Sequence, residues 1–251
     1  MEEEKKIVQE SSLRIMKQLR QIWGEEHSFR EIDANDFKHL DLSFYRKKEQ
    51  SLSLLGFSKL GDVEDTAQKK TIPDPRTFLR MMVSQDKTVS AAVYHEKPEF
   101  PWPLICWLLK LTPLKIIEFG TEFENGIMLS TSVMAPIRQA DGPKEIIRQF
   151  GSRKSGVEEL YKTHLHKVET VITEEKTRPV AHNSLDDICT AQNRKLMLIR
   201  THLEDSGWIS KEYLARQYGN NTAFVDEVHK EIERLAIKQL LGKELPPPEQ
   251  Q

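Results

Sequence analysis

Residues 115–134 constrain the fold more than any other stretch of this chain. They read Lys-Ile-Ile-Glu-Phe-Gly-Thr-Glu-Phe-Glu-Asn-Gly-Ile-Met-Leu-Ser-Thr-Ser-Val-Met. Two arms of alternating side chains flank Asn125-Gly126, a dipeptide that accepts positive φ and is a strong local signal for a β-hairpin. The alternation also selects the register. A two-residue loop pairs Glu122 with Leu129 and Glu124 with Ile127, mixing charged and apolar groups on both faces. A three-residue loop (Glu124, Asn125, Gly126) pairs Phe123 with Ile127, Thr121 with Leu129, Phe119 with Thr131 and Ile117 with Val133. It yields one apolar face and leaves Glu118, Glu122, Met128, Ser130 and Ser132 on the other, with Gly126 at the left-handed position of a bulged turn. The segment predicts a sheet with one buried and one wet face. It specifies a fold, not a reaction.

Around this hairpin the periodicity is readable. Ile15, Met16, Leu19, Ile22 and Trp23 recur at helical spacing and Gly24 follows, which predicts a helix over about 3–23. A second short helix is expected from about Ala34. Leu54-Leu-Gly-Phe-Ser-Lys-Leu-Gly-Asp62 reads as the entry to a strand, followed by a polar loop from Asp65 to Pro75. Thr77–Val83 and Thr88–His95 predict a further hairpin about Ser84-Gln-Asp-Lys87. Residues 137–156 read as loop. Ser155 and Glu158 match a capping box ahead of a helix carrying Leu160, Tyr161, Val168 and Val171, and Ser184 with Asp187 opens another. Ser210 and Thr222 are the expected caps of the last two helices.

The predicted fold is therefore α+β. An antiparallel meander of four to six strands is flanked by an N-terminal helix and a C-terminal helical group. Its apolar face should pack on the helix with Tyr161 and Val168. The predicted divisions are 1–50, an N-terminal helical segment; 51–180, the α+β core; 181–245, the C-terminal helices; and 246–251, a tail.

Composition narrows the function classes. With 37 basic and 39 acidic residues the net charge is −2, which gives no general attraction to nucleic acid or anionic membrane. Two cysteines, Cys106 and Cys189, share no motif, so a disulfide framework or Cys-based zinc site is not expected and a cytoplasmic location is. The acidic start of the chain does not read as a secretory signal. No G-x-G-x-x-G, Walker loop or G-x-S-x-G elbow occurs.

Each chemical candidate has a plainer reading. Leu214-Ala215, Tyr218-Gly219, Val225 and Val228 have helix-turn-helix spacing, but Asp226, Glu227 and Glu231 in the second helix repel a phosphate backbone. His164 and His166, two apart on a helix, point about 200° apart and do not chelate together, and His164 is expected to be a hydrogen-bonded, partly buried histidine. Glu118 and Glu122 lie about 13 Å apart along one strand, too far for a carboxylate pair acting on one bond. The segment 100–114, with Trp102, Trp107, Leu108 and Leu111, is too short and too proline-rich to span a membrane. It reads as buried, with a docking or membrane-surface role as its functional alternative.

Leu54-Leu-Gly-Phe57, Leu60-Gly-Asp62, the paired hairpins and Phe119-Gly-Thr-Glu-Phe-Glu-Asn-Gly126 together resemble an uncharacterised bacterial family of α+β type. The resemblance spans about residues 50–205. Some members of that family carry a membrane-anchoring helix ahead of this block, where this chain has a charged amphipathic one. The resemblance implies a fold and carries no activity or site residues.

The leading expectation is a non-catalytic interaction or regulatory protein, without cofactor or metal, that meets a protein partner or a second copy of itself. Its docking surface would be Ile15, Leu19, Ile22 and Trp23, or Trp102, Trp107, Leu108 and Leu111. Nucleic acid is disfavoured by charge, and a membrane surface is the lesser alternative partner. Two other functions compete: a hydrolase-type enzyme with its site gathered around Tyr94, His95 and Glu118, and a helix-turn-helix protein with an acidic second helix.

Overall fold

The computed structural model describes residues 2–23, 26–67, 76–95, 115–133, 142–152, 154–219 and 221–240. In chain order they form α1 (Glu2–Trp23), β1 (Phe29–Glu31), a 3-10 turn (Ala34–Phe37), α2 (Leu42–Leu54), β2 (Ser58–Asp65), β3 (Leu79–Val83), β4 (Ser90–His95), β5 (Lys115–Glu122), β6 (Met128–Ser132) and β7 (Ile146–Phe150). The helices α3 (Val157–Glu175), α4 (Leu185–Asp205), α5 (Lys211–Tyr218) and α6 (Thr222–Gln239) follow. The strands form one sheet in sequence order, antiparallel throughout except for the parallel pair β6 and β7.

Seven strands exceed the expected four to six, and the sheet reaches back into the first fifty residues through β1. β1 is three residues long, too short for an alternation to register. β7 lies within the stretch read as loop: it joins β6 in parallel, so no tight turn announces it. Leu54 and Leu55 do not enter a strand but end α2. Gly56, at φ +87°, closes that helix, with Phe57 N–H on the Leu52 carbonyl and Gly56 N–H on the Ser53 carbonyl, both at 3.0 Å.

The central hairpin has the predicted three-residue loop and register, with Thr121 opposite Leu129 and Phe119 opposite Thr131. Gly126 N–H bonds the Phe123 carbonyl at 2.9 Å, and Gly126 takes φ +84° with nothing within 4 Å of the point where a Cβ would stand. Backbone conformation alone, not crowding, selects glycine there. The β3–β4 hairpin also closes where expected, by Ser84 N–H on the Val89 carbonyl at 2.9 Å.

One face of the sheet is apolar. Met82, Ala91, Val93, Ile117 and Phe119 pack with Phe57, with Tyr45 and Leu52 of α2, and with Leu160 of α3, while Phe123 and Leu129 meet Val168 and Val171. The expected contact with the Tyr161–Val168 helix is thus present. The other face is not wet. α4 crosses it, Ile188 packing on Val63, Met81, Val83 and Ala92, and Met128, Ser130 and Ser132 are buried. The alternation of the strands holds, but it does not reveal that a distant helix roofs the polar face with its own matching charges.

A second cluster joins α1, α5, α6 and the end of α4 through Val8, Met16, Trp23, Leu203, Trp208, Leu214, Val228 and Ile232. Ser184 and Asp187 form the predicted capping box. The box at Ser155 does not form, because Gly156 occupies the cap position of α3, and Asn221 rather than Thr222 caps α6.

Candidate functional site

A cleft of about 760 Å³ opens beside α2, at the β1–β3 end of the sheet. That volume falls in the range of pockets that take small molecules or a short peptide segment. Glu31, Ile32, Asp33, Ala34 and Asn35 line it on one side, Leu42 and Arg46 of α2 on another, and Lys59, Asp62 and Arg80 from β2 and β3 complete it. The chain after β1 is tied to the sheet by Ile32 N–H on the Asp62 carbonyl at 3.0 Å, and Asp33 caps the 3-10 turn through Asn35 N–H at 2.9 Å.

The β2 and β3 part of this lining is a closed ion network. Arg80 grips Asp62 with two bonds, Nε to Oδ1 at 2.8 Å and Nη2 to Oδ2 at 3.0 Å, and its Nη1 reaches Glu49 of α2 at 2.8 Å. Lys59 Nζ adds a bond to Asp62 Oδ2 at 2.8 Å. Two cations therefore balance two carboxylates, and both Asp62 oxygens are engaged. Burial alone would lower the Arg80 pKa; Asp62 and Glu49 hold it above its ordinary value instead. The guanidinium also lies 5.6 Å from the Tyr45 ring centroid and 5.9 Å from that of Phe78, two rings stacked at 4.2 Å. Two further buried carboxylates follow on β2. Glu64 is held by Arg76 and Arg30, and Asp65 by His27 Nδ1 at 2.6 Å.

Arg46 differs from these. It is exposed at the cleft and has no hydrogen-bond or ion-pair partner among the described residues. Together with Asp33 and Glu31 it gives the cleft one cation and two carboxylates that the scaffold does not pair with each other or with any other side-chain charge among the described residues.

Motif and spacing do not single out Asp62 and Arg80. A weaker signal is present: Arg80 stands alone in Leu-Arg-Met-Met-Val, and Asp62 and Glu64 alternate with Val63 inside a strand. Charged residues among buried strand positions require partners, because an unpaired buried charge is costly.

The residues singled out from sequence are dispersed. His95 and Glu118 project to opposite faces of the sheet: β4 pairs Ala92 with Glu118, and His95 is three residues on. His95 Nδ1 accepts a bond from Asp41 N–H at 3.1 Å, and its own backbone N–H donates to the Tyr45 hydroxyl at 2.9 Å, tying β4 to the start of α2. Burial pushes the Tyr45 hydroxyl up to about 12. Tyr94 shares the α4 face with Glu118.

His164 is fully buried, as a structural histidine. Its Nε2 meets Thr121 Oγ1 at 2.9 Å and its Nδ1 meets Thr131 Oγ1 at 2.8 Å. Thr121 spends its hydroxyl hydrogen on the Thr88 carbonyl at 3.3 Å, which assigns the proton to Nε2 and makes Nδ1 the acceptor. Burial lowers its pKa to about 4, against a smaller opposing pull from Glu118.

In α1, Trp23 is buried and Ile15 and Leu19 pack against the C-terminal helices, so the chain's own helices cover this stripe. The Ile22 side chain lies outside the described residues, as do Trp102, Trp107, Leu108 and Leu111. The two-helix unit α5–α6 forms as its spacing predicts, with Val225 and Val228 buried and Lys211 paired to Asp226 at 2.6 Å. α1 packs along α6. Among the described residues no three His, Cys, Asp or Glu side chains are grouped to hold a metal, and no helix is long and apolar enough to cross a membrane. Comparison with protein-family models, with curated proteins and with solved structures found no match.

Proposed function

We propose that this protein works by binding rather than by bond-making chemistry, as an interaction or regulatory protein whose docking site is the cleft beside α2. The carrying observation is the contrast within that cleft. The β2–β3 side is a closed set of ion pairs, and Arg46, Asp33 and Glu31 are left to meet a ligand. A ligand carrying both signs of charge, as a polar peptide segment of a protein partner does, suits such a cleft. Arg46 would take its carboxylate and Asp33 its ammonium or amide, while the closed network supplies a rigid support that needs no reorganisation on binding. Groups that already satisfy one another are poor acids and bases, and this favours binding over catalysis at Asp62.

Photo-crosslinking tests the reading. A photoreactive residue at Asn35, inside the cleft, should capture a protein in its native host, and the adduct should fall at least tenfold in an Arg46→Glu background. A probe placed on α6 at Lys230 should not give the same adduct. No adduct from Asn35, or one indifferent to Arg46→Glu, would reject the reading. So would reproducible recovery of the native protein alone, as a monomer.

A further inference from the structure

The polar face beneath α4 carries a second charged cluster, away from the cleft and on the opposite side of the sheet. Ser130 on β6 is the register partner of Arg148 on β7 and sits diagonally from Glu118 on β5. Lys195 reaches down from α4 to donate to Glu118 Oε1 at 2.5 Å and to Ser130 Oγ at 3.1 Å. The Ser130 hydroxyl donates to the same Glu118 oxygen. Glu118 Oε1 is thereby saturated, and burial, which alone would raise its pKa, is overcome by Lys195 and Ser130, so the carboxyl stays below its usual range.

Serine beside lysine can signal a nucleophile and its base. Here the roles run the other way. Lys195 donates toward Ser130 Oγ, and the hydrogen of Ser130 is directed at Glu118, so neither is set to take a proton from the other.

Arg148 is the group left over. It is partly buried and lies within the field of Glu118, yet it has no hydrogen-bond or ion-pair partner among the described residues. Burial pulls its pKa below the ordinary arginine value, and Glu118 only partly opposes this. Gly142 runs close beneath it: a Cβ built there would stand 3.7 Å from Arg148 Cζ. The cluster therefore holds two cations, Arg148 and Lys195, against one carboxylate. A guanidinium partly withdrawn from water, with solvent as its acceptor and none among the described residues, is one that an incoming anion can engage at little cost. Its planar fork matches the paired oxygens of a carboxylate or phosphate.

We infer that Arg148, with Lys195 beside it, forms a binding site for the carboxylate or phosphate group of a small anionic ligand. The anion would sit against the guanidinium fork, with Ser130 and Lys195 already oriented by Glu118 on its flank. One negative charge brings the cluster to neutrality.

The test uses the purified full chain and its Arg148→Met variant. Thermal unfolding is followed in sodium chloride, sodium phosphate or sodium succinate at matched ionic strength. A ligand at roughly ten times its Kd should raise the wild-type Tm by about 3–5 °C. Arg148→Met should not respond, and in chloride alone it should melt close to or above the wild-type temperature, because it removes a partly buried charge that no group among the described residues answers. A response to phosphate alone or to succinate alone supports the site and identifies the oxyanion; a response to both supports it as a general oxyanion site. Three results would overturn it: a wild type that treats both anions like chloride, a variant that responds as the wild type does, or a variant that melts several degrees lower in chloride. The last would mean that Arg148 is already satisfied within the fold. Because Arg46 and Asp33 are untouched, failure here leaves the reading of the cleft standing.

Discussion

The two ion networks on this sheet are built from the same materials and end differently. On the apolar face, Arg80 spends three nitrogens on Asp62 and Glu49, and Lys59 completes the set. On the α4 face, Lys195 and Ser130 saturate one oxygen of Glu118, and Arg148 remains without a bonded partner among the described residues. Saturation marks a group as scaffold, because its charge has been answered within the fold. A cation partly withdrawn from water and unanswered among the described residues, or exposed at the cleft like Arg46, is where an external ligand gains most. His164 adds a third solution, a buried polar group kept neutral and bonded on both ring nitrogens.

Breaking the closed network should have the largest effect. Arg80→Met leaves Asp62 and Glu49 facing each other without their shared cation, and should cost about 3–5 kcal/mol in urea unfolding. Asp62→Leu added to it should recover part of that loss; a fully additive double mutant would show that the pair is not coupled.

Next comes the neutral solution. The His164 pKa is lower folded, about 4, than in the unfolded chain, so the unfolded state binds the extra proton between the two values. Stability should therefore fall as pH drops from about 6.5 toward 4, by ~3 kcal/mol in all. His164→Gln should flatten that part of the profile, measured by denaturant midpoints against pH.

Glu118→Gln should cost less, about 1–3 kcal/mol, since its side chain is 23% exposed and solvent shares the burden. The folded pKa of Glu118 is depressed, so its contribution is present above the ordinary glutamate value and lost as pH falls through the folded one. Glu118→Gln should remove that acid-side loss.

The smallest effect belongs to the turn: Gly126→Ala should cost about 1–2 kcal/mol through the positive φ alone. An unchanged midpoint would mean that the loop relaxes to another turn type.

Much of this fold could be read in the chain because its signals are local. Asn125-Gly126, the alternation of Phe119 to Val133 and the Ser184–Asp187 box each determine structure within a few residues of themselves. β7 and the burial of the polar face could not be read the same way. β7 depends on a parallel partner reached without a turn, and the polar face is closed by Arg194 and Lys195, more than seventy residues from the Glu122 and Glu118 they bind. Asp62 and Arg80 were readable in part, as charges stranded among apolar strand positions, but their pairing required the β2–β3 register, which shifts by a bulge between Lys59 and Gly61. What distinguishes Arg148 from Arg80 lies in three dimensions only: Arg80 reads as one arginine in a strand and Arg148 as one in a loop, and neither pattern shows which of them finds a partner.

Arginine side-chain NMR reads that distinction directly. In a phosphate or succinate titration of the wild-type chain, the Nε–Hε signal of Arg148 should move and saturate while that of Arg80 stays fixed. Signals that leave Arg148 in place, or that shift Arg80 in parallel with it, would contradict the division between answered and unanswered cations.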